Sequence, residues 1–191
     1  MNGYAGNITQ WEFVMSLRPI PINQLLFNFS DLWSNKWLLL TAGDFATGKF
    51  NPMTVGWGSF GVMWNKPFVQ VVVRPTRYTY QFMEHYETFT LCAFPETYRA
   101  TLELLGSISG RDEDKIAASK LVPIPATRVA APAFAEAELV IECRKIYWDD
   151  FKPEHFLDQR IHKNYPAKDY HRFYFGEILA VAGGDQYRAR P

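Results

Sequence analysis

Short hydrophobic runs separated by Gly, Pro and Asn are the dominant pattern along the chain. In Ala137–Tyr147, apolar residues such as Leu139 and Ile141 alternate with polar ones, which predicts a strand with one buried face. The run Phe68–Val73 is rich in β-branched residues and almost continuously apolar, as expected for a central strand. Comparable runs predict four further strands, over Trp37–Ala42, Met53–Ser59, Phe89–Phe94 and Phe173–Val181.

Four segments between these strands carry helix signals, over Tyr80–Tyr86, Thr97–Leu105, Asp112–Lys120 and Pro153–His162. Thr79 precedes the first segment and can cap it, and Gly106 can end the second. Acidic residues at the start of the third favour a helix N-terminus. Because short strands outnumber the helices and show no regular βαβ alternation, we expect a mainly β fold with short helices, in one domain over residues 1–191.

Composition and charge exclude several classes of protein. Lys plus Arg and Asp plus Glu both number 20 in 191 residues, so the chain lacks the basic excess that nucleic-acid binding requires. Cys92 and Cys143 are too few for a disulfide framework or a zinc motif, so no metal site is predicted. No apolar run reaches membrane-span length, and the start of the chain does not resemble a signal peptide. We therefore expect a soluble, cytoplasmic protein.

The aromatic content is high, at 16%, and two interpretations remain open. Aromatic side chains can fill a large core together with a buried subunit interface. They can also line a pocket for a flat conjugated ligand. The aromatic content alone does not choose between the two.

The glycines Gly56, Gly58 and Gly61 match the pattern G-x-G-x-x-G after a predicted strand. A dinucleotide-binding fingerprint would need a helix to begin at these glycines. The sequence continues instead with a turn signal at Asn65-Lys-Pro67 and a further strand. We therefore reject the dinucleotide-binding interpretation, and expect the glycines to permit close approach of a ligand or a neighbouring strand.

Three segments combine residues that suit an anionic, ring-containing ligand: Asn51–Ser59, Arg74–Thr79 and Ser109–Lys115. Arg74 and Arg77 stand beside a helix start, where guanidinium groups and free backbone N–H groups together can hold a phosphate. Lys115 can add a point charge. Ordinary surface ion pairing is the alternative role for the two arginines.

The ordered motifs N-P-M-T-V-G-W-G-S, N-K-P, V-R-P-T-R-Y-T, F-T-L-C and S-G-R-D-E-D-K together resemble the flavin reductase-like family, including its flavoredoxin-like members. The resemblance runs from Asn51 to Leu121 and resumes at His171–Ile178, within a core of about residues 36–181. It implies an antiparallel, Greek-key FMN-binding split barrel that forms a homodimer with flavin near the interface.

The resemblance also implies a set of FMN-binding residues. Thr54, Trp57, Gly58 and Ser59 would line the isoalloxazine ring and ribityl chain, and Arg74, Arg77, Thr79 and Lys115 would hold the phosphate. Cys92, Ala93 and Phe94 would run along the ring edge. Asn51, Tyr78, Ser109 and Gly110, from the same segments, complete the implied set.

The implied chemistry is hydride transfer from NADH or NADPH to flavin, in which the cofactor carries the reactivity. His171 is the candidate catalytic residue near the nicotinamide or the flavin edge, and a structural histidine bonded to backbone is the alternative. Cys92, amid apolar neighbours, also fits a buried hydrophobic residue without redox activity.

Three functions remain open from the sequence. The first is an NAD(P)H-dependent FMN reductase. The second is an FMN-containing electron carrier that a redox partner protein reduces. The third keeps the fold without flavin, as a dimeric scaffold or a haem binder. Neither a nucleic acid nor a membrane is an expected partner.

Overall fold

The computed structural model describes residues 17–189, in which an eight-stranded antiparallel sheet is the main feature. The strands of the chain are β1 (Arg18–Pro19), β2 (Leu38–Asp44), β3 (Lys49–Val55), β4 (Gly58–Met63), β5 (Lys66–Val73), β6 (Thr88–Ala93), β7 (Pro123–Ile124), β8 (Ala133–Phe134), β9 (Leu139–Asp150) and β10 (Arg172–Gly183). The sheet runs in the order β3-β2-β6-β9-β10-β5-β4, with β1 beside β10, whereas β7 and β8 pair separately. The predicted mainly β, antiparallel fold is confirmed.

The two edge strands of this sheet are consecutive in the chain. β3 pairs with β2, β4 pairs with β5, and Gly56 and Trp57 join the end of β3 to the start of β4. The sheet therefore curves until its two edges meet at a covalent link, where they do not form a ladder with each other. We call this gap the split. The strand predicted over Met53–Ser59 is wrong at this point, because Gly56 and Trp57 interrupt it.

The helices are short: α1 (Phe29–Asp31), α2 (Tyr78–His85), α3 (Arg99–Ser107) and α4 (Lys115–Ser119). A π-helical turn covers Leu32–Lys36, and 3-10 turns cover Ile22–Gln24, Glu96–Tyr98, Pro153–His155, Gln159–Asn164 and Asp185–Tyr187. The region predicted as one helix over Pro153–His162 thus contains two 3-10 turns instead.

Two of the predicted helix ends differ from the structure. Thr79 does not cap α2, because the helix begins one residue earlier, with Arg77 at its N-cap position. The Thr79 hydroxyl is buried and accepts a hydrogen bond from Asn51 Nδ2 at 2.7 Å. Gly106 lies inside the last turn of α3 rather than after it. At α4, by contrast, the Asp114 side chain accepts from two backbone N–H groups, so an acidic helix start is present.

Hydrophobic residues pack against both faces of the sheet. On β2, Leu38 and Leu40 belong to one buried cluster, and Leu39 belongs to the other, since successive strand residues point to opposite faces. The first cluster fills the inside of the curved sheet and includes Phe89 and Tyr174. The second contains residues of α3 and β8 among its members. No helix within residues 17–189 is long and apolar enough to cross a membrane.

Candidate functional site

A cleft of about 210 Å³ opens at the split. Its walls come from the end of β3, the link to β4, the end of β5 and the start of β10, and its lining residues are Met53, Thr54, Val55, Gly56, Trp57, Val72, Arg74, Arg77 and His171. We call it the split cleft. The fold therefore brings His171 beside Thr54 and Trp57, which lie far from it in sequence, and all three were predicted site residues.

His171 is held at one side of the split cleft by an aromatic neighbour from the β9–β10 connection. Its Nδ1 lies 2.8 Å from the Tyr165 hydroxyl, and its ring centroid lies 5.4 Å from that of Trp57. Burial, together with the charges of Arg74 and Arg77, lowers the pKa of His171 to about 4. The imidazole is therefore neutral at physiological pH and can donate or accept one hydrogen bond at Nε2.

A second cleft, of about 230 Å³, lies beside the split cleft and shares Met53 and Arg77 with it. Its lining residues come from β3, the start of α2, and the loop between α3 and α4: Asn51, Met53, Thr76, Arg77, Tyr78, Thr79, Leu105, Gly106, Ser107, Ile108, Ser109, Gly110, Arg111, Asp112 and Lys115. We call it the loop cleft. It unites six of the predicted residues, which are Asn51, Tyr78, Thr79, Ser109, Gly110 and Lys115, with Arg77 at its junction to the split cleft.

Thr54 marks a further junction between these spaces. Its hydroxyl donates to the Leu102 carbonyl oxygen at 2.5 Å, which ties β3 to α3. A third cleft, of about 320 Å³, shares Thr54 and Gly56 with the split cleft and shares Gly106 and Ser107 with the loop cleft. The three clefts thus adjoin one another around the end of β3.

The loop cleft is lined by three cations that form no ion pair among the described residues: Arg77, Arg111 and Lys115. Arg77 donates to the Gly106 carbonyl oxygen at 3.1 Å, and Lys115 Nζ donates to the Pro52 carbonyl oxygen at 2.9 Å. Lys115 is buried, and this burial together with the charge of Arg77 lowers its pKa to about 8. An anion bound between the two would relieve this repulsion.

Gly110 shapes the loop cleft because no side chain fits at its position. A Cβ there would overlap the carboxamide oxygen of Asn51 and touch the ring of Tyr78. Asn51 cannot easily turn away, since its Nδ2 is already bonded to the Thr79 hydroxyl and to the Pro52 carbonyl oxygen. The loop backbone therefore approaches β3 and α2 closely, and forms the floor on which an anion would rest.

Arg74 does not take part in the loop cleft, in contrast to our expectation that it would help to hold a phosphate. Its guanidinium binds both carboxylate oxygens of Asp169, at 3.0 and 2.9 Å, and donates to the Asn164 carbonyl oxygen at 2.6 Å. This ion pair, formed through Nη1, offsets the charge of Arg74 and joins it to the β9–β10 connection beside the split cleft. Ion pairing is the alternative role that the sequence left open for Arg74.

Cys92, Ala93 and Phe94 are also not brought to any of the clefts. All three are buried in the hydrophobic clusters, because β6 is an inner strand between β2 and β9. Burial raises the pKa of the Cys92 thiol to about 12, so a reactive thiolate does not form at neutral pH. The interpretation of Cys92 as a small buried hydrophobic residue agrees with the structure.

Gly58 and Ser59 lie just beyond the split cleft, at the start of β4. Ser59 Oγ donates to Gln70 Oε1 at 3.0 Å, and Gly58 packs directly against the Trp33 ring. They support the wall of the cleft from behind rather than lining it.

Sequence reasoning missed Tyr165, which orients His171, because its segment Lys163–Asp169 has no hydrophobic period and belongs to none of the motifs. Arg111, whose Nη1 donates to the Thr76 carbonyl oxygen at 3.1 Å, was also missed.

The sequence of the chain matches the model of a known family. The family model described as "Flavin reductase like domain" matches residues 34–189. The chain belongs to this family. The match covers the strands, helices and loops that build all three clefts, and the antiparallel split-barrel fold that the resemblance implied is confirmed. No curated protein matches the chain.

Solved structures similar to this flavin reductase-like chain show the same fold. Flavoredoxin of Desulfovibrio vulgaris (Miyazaki F) has a TM-score of 0.61 and 22% identity, covering 97% of this chain and 78% of that one. An FMN-binding domain of a flavin reductases-like enzyme from Shewanella baltica OS155 has a TM-score of 0.64 and 16% identity, covering 89% and 78%. The NADH:FAD oxidoreductase SgcE6 of Streptomyces globisporus has a TM-score of 0.57 and 16% identity, covering 76% and 73%.

The residues present fit a flavin mononucleotide. A phosphate requires cations and close backbone, which Arg77, Lys115 and Gly110 supply in the loop cleft. A flat ring requires an adjoining apolar wall, which Met53, Val55 and Trp57 supply in the split cleft. Among the described residues, no group of acidic, His or Cys side chains could hold a metal ion.

Proposed function

We propose that the protein is an FMN-binding oxidoreductase that transfers a hydride from NADH or NADPH to the bound flavin. The observation that supports this most is the buried Lys115 ammonium, which forms no ion pair within the described residues and lies near Arg77 beside a ring-sized cleft. A phosphate ester would supply the negative charge that this cation lacks. The family to which the chain belongs supports the same conclusion.

In this proposal, the loop cleft anchors the phosphate and the split cleft positions the ring. FMN supplies the redox chemistry when bound, since its isoalloxazine ring accepts a hydride from a nicotinamide. The side chains orient the reactants. The neutral His171, held at Nδ1 by Tyr165, presents Nε2 as a hydrogen-bonding group at the side of the ring, and Trp57 packs beside His171 on the same side of the cleft. Nothing in this arrangement requires a nucleophile or a metal.

The test is an anaerobic titration of the FMN-loaded protein with NADH and, separately, NADPH. We expect the flavin absorption bands to bleach with at least one of the two nucleotides, at a rate well above that of free FMN. Persistent yellow colour with both nucleotides would exclude the reductase. A preparation that stays colourless after FMN is added would exclude flavin binding itself, and would favour a scaffold or a haem binder.

An electron-transfer protein without nicotinamide specificity is the second candidate function. The observation that favours it is the exposure of Trp57, 50% of whose surface is accessible at the rim of the split cleft. A docked redox protein could come within electron-transfer distance of a flavin through this open side. Reduction of the bound flavin by a ferredoxin-like donor, together with its failure to react with either nucleotide, would establish this function.

We further propose that the protein works as a cytoplasmic homodimer. Both cysteines are free and buried, which suits a reducing compartment. An aromatic face composed of Trp64, Phe68, Tyr147, Phe173 and Phe175 lies on β5, β9, β10 and the β4–β5 turn, with ring centroids 4.7 to 6.1 Å apart. Val62 and Trp64 beside it are 72% and 57% exposed, and a second copy of the chain would cover them.

A further inference from the structure

A buried tyrosine in the β9–β10 connection contacts the candidate catalytic histidine. Tyr165 is 5% exposed, and its hydroxyl lies 2.8 Å from His171 Nδ1. Within residues 17–189, the Tyr165 hydroxyl forms no other hydrogen bond. The proposed function uses His171 as a hydrogen-bonding group, and it leaves open whether the free ring nitrogen donates or accepts. The contact with Tyr165 bears directly on that choice.

Neighbouring groups of the same connection hold the Tyr165 ring in place. The Arg74 guanidinium lies 5.1 Å from the centre of the ring, and it donates to the carbonyl oxygen of the preceding residue, Asn164, at 2.6 Å. Phe156 stacks on the ring, with 10° between the planes and 6.0 Å between the centroids. Because Arg74 also binds Asp169 from this connection, the Tyr165 hydroxyl is held in a fixed position relative to the end of β5.

Two further contacts hold His171 itself. Its carbonyl oxygen accepts from the Phe151 N–H group at 3.0 Å, and its ring centroid lies 5.4 Å from that of Trp57. The side chain lines the split cleft, and its Nε2 forms no hydrogen bond within the described part of the chain. Nε2 is therefore the ring nitrogen that is left for a ligand in the split cleft.

The hydrogen-bonding capacity of the two side chains determines where the imidazole hydrogen lies. A neutral imidazole carries a hydrogen on one nitrogen and a lone pair on the other. Burial raises the pKa of Tyr165, so its hydroxyl keeps its hydrogen at neutral pH. If His171 donated from Nδ1, the hydroxyl hydrogen would have no acceptor among residues 17–189, and an unsatisfied buried donor is unfavourable. If Tyr165 donates to Nδ1, both side chains are satisfied.

We propose that Tyr165 is a positioning residue, which donates to His171 Nδ1 and thereby fixes the tautomer that carries its hydrogen on Nε2. The split cleft then presents a neutral hydrogen-bond donor, and favours a ligand with an acceptor at this point, such as a ring carbonyl or a carboxamide oxygen. Arg74 supports the arrangement by holding Tyr165. The catalytic consequence rests on the proposed function, whereas the tautomer is a property of the flavin-free protein.

The first measurement determines the tautomer by NMR of the flavin-free protein at pH 7, with the histidine ring nitrogens isotope-labelled. The chain has four histidines, and the signals of His171 are those that disappear in His171→Gln. We expect the hydrogen on Nε2, and on Nδ1 the chemical shift of a nitrogen that accepts a hydrogen bond. A hydrogen on Nδ1 of the unaltered protein would overturn the proposal without recourse to any other variant.

The second measurement repeats the spectrum in Tyr165→Phe, which removes the hydroxyl and keeps the ring. We expect Nδ1 of His171 to lose the shift of a hydrogen-bonded acceptor. Tyr170→Phe is the matched control, because the Tyr170 hydroxyl belongs to the same connection but lies 3.4 Å from Nδ1 of His162. The His171 signals should be unchanged in this control. Unchanged signals in Tyr165→Phe, or an equal change in both variants, would contradict the proposed contact.

The third measurement asks whether Tyr165 acts on the proposed reaction through His171. In the FMN-loaded protein, we expect Tyr165→Phe to lower the rate of flavin reduction by NADH or NADPH about three- to tenfold, the value of one neutral hydrogen bond, with FMN affinity within about twofold. In a His171→Gln background the same substitution should cause no further loss, since a positioning residue acts only through the group that it orients. Equal losses in both backgrounds would refute the positioning role.

These outcomes separate the proposal from the proposed function. If neither nucleotide reduces the flavin, the proposed function fails, while the spectra of the flavin-free protein still decide the tautomer. If the flavin is reduced but His171 carries its hydrogen on Nδ1, the proposal fails and the function stands.

Discussion

Two cations that form no ion pair within residues 17–189, Arg77 and Lys115, are the most informative residues of this protein. Burial and, in second place, the charge of Arg77 lower the pKa of Lys115. A fold retains such a pair where an anion binds, because the ligand then supplies the missing negative charge. The single-residue predictions below test this directly.

Replacing Arg77 should weaken flavin binding. We expect Arg77→Ala to lower FMN affinity by about 1.5–3 kcal/mol, the value of a hydrogen bond to a charged group. Fluorescence titration of the apoprotein measures this, and riboflavin, which has no phosphate, should bind both proteins equally. Arg128→Ala is the control, since Arg128 is exposed and lines none of the described clefts. Unchanged FMN affinity in Arg77→Ala would mean that the phosphate lies elsewhere.

Lys115 should make FMN affinity depend on pH. Its pKa of about 8 in the flavin-free protein means that the ammonium is charged below this pH and increasingly neutral above it. The phosphate of FMN is already fully ionised in this range, since its second pKa is about 6. FMN affinity should therefore decrease as the pH rises from 7.5 to 9.5.

The control for this pH dependence is Lys115→Met, which keeps a buried chain of similar length without a charge. Its FMN affinity should be lower at pH 7 and nearly independent of pH up to 9.5. An alkaline decrease that is equally steep in Lys115→Met would assign the titration to another group.

At the residue scale, sequence reasoning succeeded where a motif fixes both residue and neighbours. Arg77, Lys115 and Gly110 meet in the loop cleft, as the resemblance implied. It did not foresee that Arg74 pairs with Asp169, because Asp169 lies 95 positions further along the chain. Tyr165 was not predicted as a site residue for a similar reason, since only the fold brings the β9–β10 connection to the split cleft.

Among the elements, the edge strand β4 decides how the split cleft is shaped. Gly58 lies against the Trp33 ring and the Gln70 backbone carbonyl, with which a Cβ would overlap. Because backbone cannot move aside, we expect Gly58→Ala to shift β4 and to lower the free energy of unfolding by about 1–3 kcal/mol. Chemical denaturation followed by Trp fluorescence measures the change.

Gly61 in the same strand is the matched comparison for this prediction. A Cβ there would meet the ring of Phe68 at 3.0 Å, and a side chain can yield where backbone cannot. Gly61→Ala also reduces the entropy of the unfolded chain, so we expect a change below about 1 kcal/mol. Equal losses in both variants would show that the close contact at Gly58 is unimportant.

The elements themselves were predictable to different degrees. The β-branched run predicted over Phe68–Val73 lies within β5, and the strand over Phe89–Phe94 differs from β6 by one residue at each end. The break at Gly56 and Trp57 was not predictable, because the residues on both sides favour strands. That Cys92 and Ala93 lie on an inner strand was not predictable, because the order of strands in a sheet depends on long-range pairing that local patterns do not encode.

For the whole molecule, the aromatic face predicts self-association. Light scattering after gel filtration should give twice the 22.1 kDa of one chain. Val62→Glu places a charge beside this face, at a position 72% exposed in the single chain, and should shift the protein to the monomer because burying an unpaired carboxylate is costly.

Leu157→Glu is the control for the dimer, since Leu157 is 98% exposed on the β9–β10 connection and is not one of the residues of the aromatic face. It should leave the molecular mass unchanged. A wild-type protein that remains monomeric at micromolar concentration, or a Val62→Glu protein that remains dimeric, would contradict this interface.

The link between β3 and β4 has a consequence for amide hydrogen exchange. Each of these strands has one neighbour, so every second backbone N–H group points toward the split, where no ladder protects it. Exchange at Met53–Gly58 should therefore be fast in the flavin-free protein, although the adjoining β2 is completely buried at Leu38–Leu40. Flavin bound in the split would slow exchange there first, so deuterium uptake reports occupancy of the site without any assay of turnover.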